Sequence, residues 1–276
     1  MVQGRVAIIG GGNMGGALLD GLMKGKMDAD RLHLVEVRES VRKGFEERYG
    51  IGSAPVIDDA VRESDVIVLA IKPQDIRGVL SNLKPHVCEN NLILSVAAGI
   101  TTSLIEGLLN EKQPVARTMP NIAAKIGKSA VAICFNPHVS EKQKRLAQRT
   151  VSSIGMVIEM DEEKMDAVTG LSGSGPAFVF LMIEALADAG VFIGLARETA
   201  LALATQTVYG AASLLKETGE HPAVLREKVT SPGGTTAEGL LRLEKGGFKH
   251  LVIEAVRAAT EKSEILGKKM NSRHLQ

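Results

Sequence analysis

The sequence predicts an α/β protein, a doubly wound and mostly parallel sheet followed by an all-helical second domain. Three observations predict it. Short apolar runs separated by helical stretches recur through the first half: Val6 to Ile9, Leu32 to Val37, Ser64 to Ile71, Leu92 to Val96, Val115 to Met119 and Ala130 to Phe135, with Met156 to Met160 as an edge strand. The first run leads into Gly10, Gly12 and Gly15, which stand at the G-x-G-x-x-G spacing of a strand, turn and helix that cradle a dinucleotide. From Asp161 onward strand-like runs cease and helical periodicity takes over. The expected division is therefore a Rossmann-like, dinucleotide-binding domain over residues 1–160 and a helical domain over 161–276.

Each glycine of the turn has a separate task. Gly10 lets the chain leave the strand tightly, Gly12 lets backbone approach a pyrophosphate with no Cβ in the way, and Gly15 lets the next helix pack against the sheet. That helix, with Ala17, Leu18 and Leu22 on its apolar face, is expected to run to about Lys24, its N-terminal N–H groups meeting the pyrophosphate. The end of the second strand is where such units read the adenosine ribose: an acid accepts from the 2′-hydroxyl, an Arg receives a 2′-phosphate. Glu36 and Arg38 offer both, or stand as ordinary surface charges, with the balance leaning towards the phosphorylated cofactor. Ligands lie beyond the carboxyl ends of parallel strands, so Ala70, Ile71, Lys72 and Pro73 are expected near the cofactor, with Lys72 either a contact or a solvated loop charge. At the next strand end, the small residues after Val96, Ala97 and Ala98, leave room for a nicotinamide ring. Val41 to Tyr49 reads as a helix, Ser103 with Glu106 as a capping box opening a helix through Leu109, and Ser140 with Gln143 as another opening a helix to Ser153.

Composition narrows the partner. With 276 residues, 45% of them hydrophobic, and a net charge of +1 without a basic run, the chain lacks the clustered positive patch that nucleic acid or an anionic membrane requires. A small-molecule substrate is expected instead. The apolar run Val6 to Ile9 is too short for a signal-peptide core, so a cytoplasmic protein is expected. Cys88 and Cys134 have no metal-ligand or redox spacing and read as reduced filler, and the scattered histidines give no metal site.

In the second half, Asp166 to Pro176 sets small residues and a proline before the apolar run Ala177 to Ala189, which Gly190 is expected to end as a C-cap. At 13 residues the run is short for a membrane span and belongs in a core or a subunit interface. Ala200 to Leu215 and Phe248 to Leu266 add further helices, and so much apolar helix in so small a domain implies at least a dimer. Between them lies Ser231-Pro232-Gly233-Gly234-Thr235-Thr236. Its glycines permit a nest of N–H groups before a new helix, an anion site; the alternative is a plain interhelical turn with Thr235 as N-cap.

On Ala70-Ile71-Lys72-Pro73, Ala97-Ala98-Gly99, Met119-Pro120-Asn121, Asp166 to Pro176 and above all Val229 to Thr236 with Leu240, Leu241 and Leu243, the chain resembles the pyrroline-5-carboxylate reductases along nearly its whole length. The resemblance implies reduction of 1-pyrroline-5-carboxylate to L-proline, the last step of proline synthesis, with hydride from NADPH or NADH. It also implies an N-terminal Rossmann-like domain and a helical C-terminal dimerisation domain, in a homo-oligomer. Carried over by position, cofactor contacts fall on Ile9, Gly10, Gly11, Gly12, Asn13, Met14, with Gly15 completing the turn, on Ala70 to Pro73 and on Val96, Ala97 and Ala98. Substrate contacts fall on Ser231, Gly233, Gly234, Thr235 and Thr236. Thr236, through its hydroxyl, is the candidate catalytic group at the ring nitrogen, because a protonated imine accepts hydride without an oxyanion hole. The chain departs from the family at Ile57, where Asn is common, and at Ala123, where a proline is common.

Overall fold

Four successive apolar residues with both neighbours occupied make β1 (Val6–Ile9) a strand buried at every position. The computed structural model describes residues 4–271, so the ends of the two expected domains, 1–3 and 272–276, lie outside the described residues. After β1 come α1 (Asn13–Lys24), β2 (Leu32–Val35), α2 (Glu39–Tyr49), β3 (Gly52–Ala54), α3 (Asp59–Arg62), β4 (Val66–Leu69) and α4 (Ile76–Leu83). The chain continues through β5 (Leu92–Ser95), α5 (Thr102–Leu108), β6 (Val115–Met119), β7 (Ser129–Phe135), α6 (Glu141–Ser152), β8 (Gly155–Glu159) and α7 (Met165–Val168). The strands form one sheet in the order β3-β2-β1-β4-β5-β6-β7-β8, parallel except where β6 meets β7. Ile9 pairs with Val35 on one side and Leu69 on the other, so the order reverses beside β1 and a crevice opens beyond its carboxyl end.

Alternate residues of the strands supply two cores. Val6, Ile8, Leu34, Val66 and Val68 pack with Leu18, Leu22 and Val151 on one face, while Ala7, Ile9, Val35, Ile67 and Leu69 pack with Leu80, Leu83 and Leu104 on the other. A strand covered on both faces reads as a continuous apolar run, which is why these strands are visible in the sequence. β3 is not, because Gly52 is exposed and Ser53 half-buried, and it exists by pairing with β2. Burial holds Cys134 as inert filler, its thiol pushed up to about 12.

Several expected boundaries change. The capping box at Ser140 and Gln143 forms. The one at Ser103 and Glu106 does not: Thr101 is the N-cap, accepting the Leu104 N–H at 3.2 Å. Its neighbour Thr102 donates its N–H to Glu162 at 2.9 Å, an acceptor supplied from far along the chain, and Glu106 instead accepts from Asn136 Nδ2. The second helix starts at Glu39 rather than Val41. Asn121 caps a short 3-10 helix by accepting the Ala123 N–H at 3.1 Å, a bond that a proline at 123 could not make.

The chain divides into two compact units, one holding the residues up to Ser174 and those from Ala258 onward, the other Gly175–Arg257. In the first unit the last helix reaches Gly99, where an added Cβ would lie 3.2 Å from the Gly267 Cα, and Asn271 Nδ2 donates to the Gly99 carbonyl at 2.9 Å. The second unit contains α8 (Gly175–Phe192), α9 (Arg197–Thr218), α10 (Pro222–Lys228), α11 (Thr235–Lys245) and the beginning of α12 (Phe248–Asn271). Gly190 is not a C-cap. A Cβ there would sit 2.8 Å from the Ala200 Cβ, so this glycine lets α8 and α9 approach while α8 runs on to Phe192.

Of this unit's hydrophobic residues only Ala187, Ala200 and Ala204 are buried, whereas Phe180 and Leu181 are 60% and 66% exposed. The length argument against a membrane span also needs correction, since the helical stretch Glu162–Phe192 is 31 residues long and apolar enough to cross a bilayer by length and composition alone. The expectation counted only the apolar run and missed the π-helical turn Thr169–Gly173, which carries helix through the small residues.

Candidate active site

The glycine turn has the geometry its spacing predicts. Gly10 has φ +101°, and a Cβ on it would lie 2.5 Å from the Ala70 carbonyl oxygen; a Cβ on Gly15 would fall 1.8 Å from the Gly10 oxygen. Both are glycine for packing. Gly12 differs: it is the N-cap of α1, no side chain caps that helix, and an added Cβ would meet only the Arg38 Nη2, at 3.9 Å. Open space, free N–H groups and the positive end of the helix dipole therefore converge at Gly12, a cradle that fits a pyrophosphate.

Beside it, Glu36 is buried at 6% exposure and its carboxylate is fully engaged. Oε2 accepts from the Gly11 N–H at 2.8 Å and from Arg38 Nη2 at 2.9 Å; Oε1 accepts from the Arg38 N–H and Nε, both at 2.9 Å. Arg42 donates to the Glu36 and Val37 carbonyls at 2.7 and 3.2 Å. Hydrogen bonds from the Arg38 side chain, opposed by burial and aided by the Arg38 and Gly11 N–H groups, hold the Glu36 carboxyl at about 2, well below its ordinary 4.5. A depressed carboxyl binds fewer protons folded than unfolded, so its contribution to stability is complete above about pH 4.5 and is lost as pH falls towards 2. The melting-temperature gap between native protein and Glu36→Gln should close over that interval, and a gap that does not change with pH would contradict it.

These residues line a cleft of about 1390 Å³. Ile9, Gly10, Gly11, Gly12, Asn13, Glu36, Arg38, Ala70, Ile71 and Lys72 all border it. Met14, Gly15, Pro73, Val96, Ala97 and Ala98 do not: Gly15 and Ala97 are buried, Met14 and Val96 pack against the core, and Pro73 begins a 3-10 helix. Ile57, marked in the sequence as a departure from the family, borders the cleft too, but the rest of the lining, including Pro55, Val56, Val79 and His86, was not read from the sequence. Its nearest signal was positional, since the residues after a third strand must lie beside the end of β2 in this topology. Among the described residues no group of three or more His, Cys, Asp or Glu could hold a metal ion.

In the second unit, Ser231 to Gly234 forms a turn of type II pattern. Pro232 takes the second position, Gly233 has φ +68°, and the Gly234 N–H donates to the Ser231 carbonyl at 3.0 Å. Gly233 is therefore demanded by its backbone, whereas a Cβ on Gly234 would meet chiefly the rotatable Ser231 Oγ, at 2.3 Å. Gly234, not Thr235, is the N-cap of α11, and no side chain caps it. The Glu238 N–H is taken by the Gly234 carbonyl at 3.3 Å, leaving the N–H groups of Thr235, Thr236 and Ala237 without intrahelical acceptors. Thr236 is half-buried and Ser231 and Gly233 are exposed.

A doubly wound sheet with a cradle for a pyrophosphate at its reversal point defines the class, a Rossmann-type dinucleotide-dependent oxidoreductase. Residues 5–99 match the family model described as NADP oxidoreductase, coenzyme F420-dependent, and residues 162–266 match the one described as pyrroline-5-carboxylate reductase dimerisation. The chain is 42% identical over 270 residues to a pyrroline-5-carboxylate reductase of Methanosarcina acetivorans, covering 98% of this chain and all of that one. It is 44% identical over 266 residues to that of Synechocystis, covering 96% and 99%. Among solved structures, a pyrroline-5-carboxylate reductase of Coxiella burnetii superposes with a TM-score of 0.91 at 36% identity, covering 95% of this chain and 98% of that one. A pyrroline carboxylate reductase of Plasmodium falciparum with NADP bound gives 0.85 at 32%, covering 97% and 99%. The chain belongs to the pyrroline-5-carboxylate reductase family.

Proposed function

We propose that the protein transfers hydride from NADPH to the imine carbon of 1-pyrroline-5-carboxylate, the C2 that becomes C5 of the product, giving L-proline. The observation that carries the substrate is the turn at Ser231 to Thr236, where the positive φ of Gly233 turns the chain and the N–H groups opening α11 are left free for a carboxylate. When bound, the nicotinamide supplies the hydride. The chain's residues do the rest: Gly10 to Asn13 and the start of α1 hold the pyrophosphate, Arg38 the 2′-phosphate, and Ala70 to Lys72 border the same cleft. Gly15 packs the turn against the Gly10 carbonyl, and Met14, Pro73, Val96, Ala97 and Ala98 complete the cofactor site, the last three leaving room for the nicotinamide ring.

The free backbone N–H groups of Thr235 and Thr236 bind the substrate carboxylate, while Ser231, Gly233 and Gly234 form the turn that presents them, the Gly234 N–H being held by the Ser231 carbonyl. The Thr236 hydroxyl meets the ring nitrogen, which carries its proton through the step, so hydride addition neutralises a cation and needs no acid to protonate oxygen. Positioning then contributes much of the rate, since well-oriented groups can gain roughly 7–11 kcal/mol. Loss of NADPH absorbance on adding the imine, with proline recovered as product, tests the assignment; an unchanged absorbance overturns it.

The functional boundary at residues 160 and 161 is part of the same proposal, supported by the second family model beginning at residue 162. So is a homo-oligomer. The second unit leaves Phe180, Leu181, Leu203 and Leu251 each at least half exposed, more apolar surface than a monomer keeps in water. Light scattering at micromolar concentration should give at least twice the 29.3 kDa of the chain, and a single-chain mass would refute it. A cytoplasmic setting accords with two free cysteines, and a small imine as the working partner with a net charge of +1.

A further inference from the structure

We infer that Glu36 does not read the adenosine ribose but positions Arg38 so that its guanidinium receives the 2′-phosphate of NADPH. An acid at the end of the second strand ordinarily favours the unphosphorylated cofactor, because its carboxylate accepts from the ribose hydroxyls and repels a phosphate. Here those acceptor sites are taken. Glu36 accepts from the Gly11 N–H, the Arg38 N–H, Arg38 Nε and Arg38 Nη2, all within 2.8–2.9 Å, and is buried.

The same bonds aim the arginine. Two of its five side-chain N–H groups are spent on Glu36, fixing the plane of the guanidinium, and the others remain for a ligand. The Arg38 side chain is 57% exposed, borders the cleft, and sits 3.9 Å from where a Gly12 Cβ would be, at the mouth of the pyrophosphate cradle. Arg42, which donates to the Glu36 and Val37 backbone carbonyls, adds a second cation against the single anion of Glu36. The Glu36 carboxyl stays ionised far into acid, so the clamp is closed at any working pH. A tied guanidinium loses less freedom on meeting a phosphate than a loose one.

This inference rests on NADPH being the cofactor, and calorimetric titration of NADPH and NADH against native protein, Glu36→Gln, Arg38→Ala and the double variant separates the two. A ribose-reading acid and a positioning acid give opposite signs. If Glu36 positions Arg38, Glu36→Gln loses about tenfold or more in NADPH affinity, and NADH affinity changes by less than about threefold. The double variant then binds NADPH no worse than Arg38→Ala, since one residue acts through the other. Unchanged or raised NADPH affinity in Glu36→Gln, parallel losses for both cofactors, or additive losses in the double variant each overturn the inference while leaving the reductase assignment intact. Failure of the native protein to bind either nucleotide overturns both. Thermal unfolding of each variant at neutral pH identifies any that is misfolded, and Arg38→Lys, which keeps the charge but not the fork, then replaces it: it should lose NADPH affinity selectively, and retained affinity refutes the clamp.

Discussion

Gly12→Val is expected to reduce NADPH affinity by at least a hundredfold while leaving a folded protein. At this position alone in the turn the space next to the backbone is open, with nothing closer than Arg38 Nη2 at 3.9 Å to an added Cβ. The fold therefore tolerates the side chain and the ligand does not. Branched methyl groups would occupy the space in which the pyrophosphate meets the first N–H groups of α1, and losing two charge-assisted hydrogen bonds costs about 3–6 kcal/mol. The stability cost is that of a poor N-cap, about 1 kcal/mol, or a few degrees in Tm for a chain of this size. Gly15→Ala is the contrasting control, because its Cβ would fall 1.8 Å from the Gly10 oxygen and disrupt the turn, lowering stability and binding together. Calorimetry with circular dichroism distinguishes the two. Nucleotide affinity within threefold of native for Gly12→Val would remove the turn from the binding site.

How much of this was legible follows from where each residue's constraint lies. β1, β4 and β5 could be read because burial on both faces forces unbroken apolar runs, and the glycine turn because φ +101° at Gly10 and the contact at Gly15 exclude a Cβ. β3 could not, as Gly52-Ser53-Ala54 carries no pattern of its own. The helix start at Thr101 depended on Glu162, and Gly190 looked like a helix end until its contact with Ala200 gave it a packing role. At the site, Glu36 and Arg38 were found as a pair with two possible readers, but only the four hydrogen bonds on one carboxylate show which side chain remains free. Pro55 and Val56 lay in a loop whose residues have no chemistry that marks them, Ile57 stood out only against the family, and their place at the cleft came from topology.

The substrate assignment is most exposed at Ser231 to Thr236, where two changes test separate bonds. The backbone N–H groups of Thr235 and Thr236 survive any side-chain truncation, so the one polar group that Thr236→Ala removes is the hydroxyl assigned to the ring nitrogen. One buried hydrogen-bond partner is worth about 1–3 kcal/mol, so kcat/KM should fall by about tenfold to a hundredfold while NADPH affinity stays native. 1-Pyrroline, the same ring without its carboxylate, leaves the Thr236 contact in place and the N–H groups of the turn unfilled. It should be a poor substrate for the native enzyme, with a loss comparable to or larger than that of the variant, because an anion at a helix N-terminus is held by several charge-assisted bonds together. Because the two changes remove different bonds, 1-pyrroline should remain sensitive to Thr236→Ala. Proline should inhibit competitively against the imine by filling the same turn. If 1-pyrroline were reduced as efficiently as the carboxylate and Thr236→Ala were kinetically silent, the segment would be only the type II turn that opens α11, and the substrate would have to be held elsewhere.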